Sequence, residues 1–270
     1  MGNKGYGSIP GTLFECITFL ARALPVRSAP TVIELLIGAM LTQTGFVTGA
    51  WLAINPLRSW SAYYRLQKGK WSWVALGIQM ARMVVAFFPQ ADWFLIIDDT
   101  FVYRASRKAP GSGIYHQQGN KANRPQYARG QCWVSLALSV MRGKKQSAIP
   151  LLSRLMRTDG NTGMLEAAKV LLRTMARVFV DKRVCLLMDS WYMKEPLVAF
   201  ALALGFQVIG QVRRDTALYS VPVATGKRGR PAKYGAKYTP EVVALFCRRC
   251  AIGSSFTANG SGCGTGALSA

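Results

Sequence analysis

The chain has 270 residues, enough for one or two domains with a real core. Hydrophobic residues make up 50% and charged residues 17%, which excludes wholesale disorder. Lys and Arg number 34 against 12 Asp and Glu, a formal net charge of +22 that calls for an anionic partner, nucleic acid first and an anionic membrane second. The six cysteines (Cys16, Cys132, Cys185, Cys247, Cys250 and Cys263) are too sparse for a disulfide scaffold, and several lie in apolar runs that suit buried thiols. No apolar stretch with a cleavage site follows Met1-Gly2-Asn3-Lys4, so no signal peptide is expected. A membrane span needs about 20 mostly apolar residues. The nearest stretch, Thr31 to Ile54, carries Glu34 and Gln43 between Pro30 and Pro56, and reads as two packed helices.

Residues 1 to 90 read as helical. Leu13, Ile17, Leu20 and Leu24 recur at helical spacing, and Pro25 closes that helix. A second helix starts after Thr31, with Glu34 in its first turn. Trp51, Trp60, Tyr63, Tyr64, Trp71 and Trp73 then interleave with Arg58, Arg65, Lys68 and Lys70. Such a cluster suits either DNA contact or the core of a small helical domain with solvated bases.

The pattern changes at Asp92. Trp93-Phe94-Leu95-Ile96-Ile97 is a continuous apolar run, expected as a buried strand that ends in Asp98-Asp99-Thr100. Residues 104–129 form a loop rich in Gly, Pro, Asn and bases. Gln131 to Met141 reads as a second strand, Arg142 to Lys145 as a turn, and Ser147 to Leu155 as a third strand. Asn161 or Thr162 is placed to cap a helix in which Met164, Ala168, Leu171, Met175 and Val178 share a face. Arg183 to Met188 is a fourth strand, again ending in an acid, Asp189. A helix from Met193 to Leu204 tolerates Pro196 in its first turn and has Gly205 past its end. Phe206 to Val212 is a fifth strand.

Acids are scarce here, so their positions carry information. A carboxylate directly after a buried strand is costly unless compensated, and a hard divalent cation is one compensation. Adjacent strands would bring Asp98 and Asp189 to one sheet edge, where Mg²⁺ (or Mn²⁺) ions held by them would serve phosphodiester chemistry. The competing reading is that each Asp caps its own turn. Alternation along a strand points Asp99 away from Asp98, giving one ligand and one bystander.

Five segments carry a family resemblance. They are Leu95-Ile96-Ile97-Asp98-Asp99-Thr100, Lys108-Ala109-Pro110-Gly111, Asn123-Arg124-Pro125, Gly130-Gln131-Cys132-Trp133-Val134 and Leu187-Met188-Asp189-Ser190-Trp191-Tyr192. Through them the chain resembles an insertion-sequence transposase of the DDE, ribonuclease-H-like superfamily, over residues 10–244. The resemblance implies DNA cleavage at transposon ends followed by strand transfer, with Asp98 and Asp189 as catalytic metal ligands and two Mg²⁺ ions. It selects Asp98 over Asp99 through the D-x-T context. It also implies a third acid, a Glu on a late helix with Tyr, Arg and Lys at fixed offsets. Glu195 and Asp215 come too early for that role, and Glu241 is a weak candidate. From Phe246 onward the resemblance stops, and residues 251–270 contain no Asp, Glu, Lys or Arg. A truncated or frameshifted product that keeps two of three ligands is the corresponding expectation.

Two smaller signals remain. Arg228-Gly229-Arg230-Pro231 resembles an AT-hook core, or is a solvated basic loop. Cys247-Arg248-Arg249-Cys250 is a lone CxxC without enough partners for zinc, and His116 suits a DNA or loop contact.

The expected fold class is α/β: a ribonuclease-H-like mixed sheet of five strands flanked by helices, with a helical N-terminal region. The expected division is 1–90 helical with a DNA-contact role, 91–216 the ribonuclease-H-like core, 217–245 a basic AT-hook-like loop opening an incomplete insertion, and 246–270 a low-complexity, disordered tail. DNA-binding candidates are Arg104, Arg107, Lys108, Lys121, Arg124, Arg129, Lys227, Arg228, Arg230 and Lys233. The expected function is a DDE transposase impaired by the missing third acid. The alternative is a catalytically inactive DNA-binding remnant that regulates an intact transposase. DNA is the expected partner, with a homodimer on DNA as one arrangement, no membrane association, and a cytoplasmic, nucleoid-associated location.

Overall fold

The computed structural model describes residues 10–43, 46–66, 68–116, 125–156 and 163–211, together with 217, 219, 220, 222, 223 and 232–239. Five helices come first: α1 (Gly11–Ala21), α2 (Ala29–Leu41), α3 (Val47–Ala53), α4 (Trp60–Leu66) and α5 (Trp73–Phe87). The stretch from Thr31 to Ile54 does divide into two packed helices, α2 and α3. No helix among the described residues is long and apolar enough to cross a membrane.

Two details differ from expectation. α1 stops at Ala21, short of Pro25, because the chain tightens into turns closed by Ala23 N to Leu20 O and Leu24 N to Ala21 O. Leu24 remains buried from within that turn. α2 begins at Ala29 with Pro30 in its first turn, so Glu34 lies a turn further in. Instead of facing the helix dipole, Glu34 accepts a hydrogen bond from the Tyr63 hydroxyl of α4. Burial first, and Glu34 second, push that phenol up to about 12. Tyr63 is fully enclosed, and Trp51 packs edge-on against both Trp60 and Tyr63 at 5.4 and 6.4 Å. Within the aromatic cluster Tyr63 is core and Trp51 and Trp71 are half-buried, while Trp60, Tyr64 and Trp73 are exposed, the last two at 55% and 63%.

The sheet follows: β1 (Asp92–Tyr103), β2 (Gly113–His116), β3 (Tyr127–Arg142), β4 (Lys145–Leu155), β5 (Arg183–Met188) and β6 (Gln207–Gly210). Helix α6 (Met164–Ala176) precedes β5, and α7 (Glu195–Ala203) precedes β6. The six strands run β2-β3-β1-β5-β6, with β4 also paired to β3. β2 and β4 lie in tandem on the outer edge of β3, pairing with residues 127–130 and 133–142. β1 and β3 are antiparallel, whereas β1, β5 and β6 are parallel. This is a mixed, ribonuclease-H-like sheet with helices gathered before it and between its parallel strands. Two short strands deserve note: β2 lies inside the segment expected as a loop, which makes six strands where five are expected, and β6 is shorter than Phe206 to Val212.

α6 has Gly163 at its N-cap, with no side-chain cap. Asn161 and Thr162, the expected caps, lie outside the described residues. Gly205 at φ +80° ends α7 in the left-handed turn its missing Cβ allows.

The sheet has unlike faces. Trp93, Leu95 and Ile97 of β1 pair in register with Val184, Leu186 and Met188 of β5, and all six are buried. They form one core with Val134, Leu136 and Leu138 of β3, the inner faces of α6 and α7, and Ala81 and Val84 of α5. α5 presses onto β4 at Gly77, where a Cβ would stand 2.6 Å from the Leu151 carbonyl oxygen and collide with Leu152. The opposite face carries Phe94, Ile96, Ala137 and Leu187, all only half-buried, and Ile209 is 58% exposed.

Candidate functional site

β1 continues past the acids. The expectation that it ends at Asp98-Asp99-Thr100 is corrected: the strand extends to Tyr103 because β3, 16 residues long, pairs with it as far as Tyr103 opposite Gly130. What ends at that point is the parallel partner. Ile97 opposite Met188 is the last β1–β5 pair. Asp98, still within β1, and Asp189, the first residue past β5, come next, so the register that ends there leads both to neighbouring positions. Neighbouring strands lie about 4.8 Å apart. Both side chains are exposed.

Each carboxylate is held by one oxygen. Asp98 Oδ1 accepts the Asp99 amide at 2.8 Å. Asp189 Oδ1 accepts the amides of Trp191 and Tyr192 at 2.9 and 3.1 Å. Asp189 thus caps the turn after β5, and the capping reading holds alongside its place beside Asp98. Among the described residues, no hydrogen bond reaches the Oδ2 of either acid. Across the ladder from Asp98 stands Ser135, whose hydroxyl meets that of Ser153 at 2.8 Å.

Asp99 faces the other way, towards the helices, and is half-buried. Its Oδ1 accepts the Tyr192 hydroxyl at 3.4 Å and its Oδ2 the Cys132 thiol at 3.9 Å. Burial, followed by the charges of Asp98 and Asp189, raises the Asp99 pKa from its ordinary value, and the two donors only partly offset this. Burial first and Asp99 second push the Cys132 thiol up to about 11. The enclosed Tyr192 phenol is driven far above its ordinary value, again by burial first and Asp99 next.

The basic candidates are spread over several elements. Arg104, Arg107 and Lys108 are exposed just beyond the end of β1, and Arg104 Nε donates to Gln131 Oε1 at 3.3 Å. Arg129 lies on β3 opposite Ile114, half-buried, on the same sheet face as Asp98 by strand alternation. Lys233 is exposed, with its ammonium 5.2 Å from the centre of the Tyr234 ring. Lys121, Arg124, Lys227, Arg228, Arg230 and the weak third-acid candidate Glu241 lie outside the described residues, as do Cys247, Cys250 and the tail 246–270. His116 packs edge-on to Tyr127 at 5.2 Å, on the Asp98 face.

Sequence reasoning missed Lys194, whose ammonium sits 3.9 Å from the centre of the Trp191 ring, next to the Asp189 turn. The basic residue directly after Asp-Ser-Trp-Tyr-Met was its only signal. It also missed a task for Tyr192 and Cys132 beyond their place in the motifs.

The site has oxygen ligands suited to a hard divalent cation. Two adjacent, exposed carboxylates, each with an oxygen left over, match the one or two carboxylates with which proteins hold Mg²⁺ alongside substrate phosphates. Among the described residues, no group of three His, Cys, Asp or Glu side chains assembles to hold a metal.

Residues 20–251 match the family described as DDE superfamily endonuclease, and the chain belongs to that family. No curated protein matches the chain. Among solved structures, the piggyBac transposase synaptic complex with hairpin DNA, determined by cryo-EM, is similar at a TM-score of 0.33 and 15% identity. The match covers 79% of this chain and 46% of that one, so the chain spans less than half of that transposase. A likeness at that score carries no weight for the site, and family membership rests on the sequence match.

Proposed function

We propose that this chain is a DNA transposase-type nuclease that uses Asp98 and Asp189 to hold Mg²⁺ or Mn²⁺ at a scissile phosphodiester. The observation that carries the reading is the β1–β5 register, which sets the two exposed acids side by side just where parallel pairing stops. When bound there, the metal supplies the charge that activates a hydroxyl nucleophile and steadies the leaving oxygen. The protein's part is to orient and to grip. The amides of Asp99, Trp191 and Tyr192 fix one oxygen of each acid and leave the other for a ligand. Arg104, Arg107, Lys108, Arg129 and Lys233 supply backbone contacts that a +22 chain can spend on phosphates. Insertion-sequence ends are the DNA this reading implies, with a homodimer as its working unit. The helical region of residues 1–90 adds DNA contacts through its exposed Tyr64 and Trp73.

A second reading is a DNA-binding remnant without chemistry. It is favoured by the absence of a third metal-binding side chain beside Asp98 and Asp189 among the described residues. One experiment separates the two: nicking of supercoiled plasmid with Mg²⁺ or Mn²⁺, alongside filter binding across a salt series. The nuclease reading expects cleavage that both Asp98→Asn and Asp189→Asn abolish while binding persists. The remnant reading expects binding that falls steeply with salt and no cleavage. Cleavage that survives both substitutions overturns the assignment of the acids.

A further inference from the structure

Tyr192 touches both halves of the acid site. Its amide donates to Asp189 Oδ1, and its hydroxyl crosses to β1 and donates to Asp99 Oδ1, 93 residues away in sequence. The amide of Asp99 in turn donates to Asp98 Oδ1. These links run without a gap from one acid to the other, beneath the sheet surface that bears them. The Cys132 thiol faces the other Asp99 oxygen, so both oxygens of that half-buried carboxylate are directed. The Tyr192 ring is fully enclosed and packs edge-on to Trp191 at 5.0 Å, so the phenol has little freedom to swing away.

β1 and β5 share no ladder bond beyond Ile97 and Met188. Past that pair, the separation of Asp98 and Asp189 depends on what ties the β5 turn to β1. We infer that Tyr192 and Asp99 are positioning residues that set the spacing of Asp98 and Asp189 for a divalent cation, with Tyr192 as the tie and Asp99 as its anchor. The inference rests on the metal-site reading above. Asp99 does not ligate the cation, because strand alternation turns it to the opposite face. Groups that orient ligands from behind in this way are worth about 10- to 100-fold in metal affinity.

The test uses the full chain and Mn²⁺, with free Mn²⁺ followed by electron paramagnetic resonance. Tyr192→Phe keeps the buried ring and removes only the hydroxyl. Asp99→Leu removes the acceptor, and Asp99→Asn keeps an oxygen that can still accept. The expected result is an Mn²⁺ Kd about tenfold weaker for Tyr192→Phe and for Asp99→Leu. The double variant should be no weaker than either single one, since both break one link. Asp99→Asn should restore most of the affinity, and metal-free DNA binding should change by less than about twofold in every case. A role in packing alone would lower thermal stability without these Mn²⁺ effects, and would make the double variant additive. Unchanged Mn²⁺ affinity in folded Tyr192→Phe and Asp99→Leu overturns the inference. Loss of Mn²⁺ binding in Asp99→Asn as complete as in Asp98→Asn overturns it too, by making Asp99 a ligand. If wild-type Mn²⁺ binding is absent, or indifferent to Asp98→Asn and Asp189→Asn, the metal-site reading itself falls and takes the inference with it.

Discussion

On the helix-covered face of the sheet, β1 presents Trp93, Leu95, Ile97 and Asp99; on the open face it presents Phe94, Ile96, Asp98 and Thr100. The first three of one set and the first two of the other are apolar, but their surroundings differ. Trp93, Leu95 and Ile97 are sealed under α5, α6 and α7, whereas Phe94 and Ile96 are only half-covered. The acids follow the same division. Asp99 is half-buried and held by Tyr192 and Cys132, while Asp98 is exposed beside Asp189. One step along a strand therefore separates a carboxylate with a structural setting from one open to a ligand. Parity, more than residue type, decides which of two adjacent aspartates is available for chemistry.

The contrast can be broken at several depths. The largest effect is expected on the open face: Asp98→Asn or Asp189→Asn should lower plasmid nicking by at least about 1000-fold, with DNA affinity retained. Next comes the covered face. Ile97→Ala should cost about 3 kcal/mol in urea unfolding, against about 1 kcal/mol for Ile96→Ala one residue earlier. Equal losses would mean that the open face is covered in solution. Cys132 offers a chemical version of the test. With its thiol pushed up to about 11, at pH 8 it carries about a hundredfold less thiolate than a thiol at its ordinary value. Its alkylation by iodoacetamide should be slower than in the urea-unfolded chain by at least that factor, and the gap should narrow as pH rises towards 11. Raising the pKa shifts ionisation upward, so the sign is slower labelling throughout the neutral range. The smallest effect is expected at Ser135→Ala, which removes the bond to Ser153 on the open face for about 0.5–1 kcal/mol in the same unfolding assay.

The covered face was also the more legible one from sequence. The apolar run Trp93 to Ile97 and the run Arg183 to Met188 announce buried strands, and Asp98 and Asp189 stand out because a charge follows each. The end of β1 was not legible. The apolar signal fades where β5 stops, but β3 carries the backbone pairing to Tyr103, and an antiparallel partner leaves no mark on the composition of its neighbour. β2 was hidden for a related reason: Gly113–His116 is four residues long, at a sheet edge, among glycines and bases. Glu34 shows how an error of a few residues in a helix start changes a role, from a charge at the dipole to an acceptor for Tyr63. The link from Tyr192 to Asp99 spans 93 residues and could only emerge with the fold.

The parallel pairing of β1 with β5 also orders events in time. β3 and β4 meet through a tight turn at Gly143, φ +60°, and can zip locally. β1 and β5 cannot meet until the chain has passed through β3, β4 and α6, a long closure that slows formation of non-local contacts. During synthesis the hairpin can be complete while Asp189 is still to be added. The acid pair is thus expected among the last contacts to form, so an unfinished chain can already be folding around β3 and β4 before the proposed cation site exists.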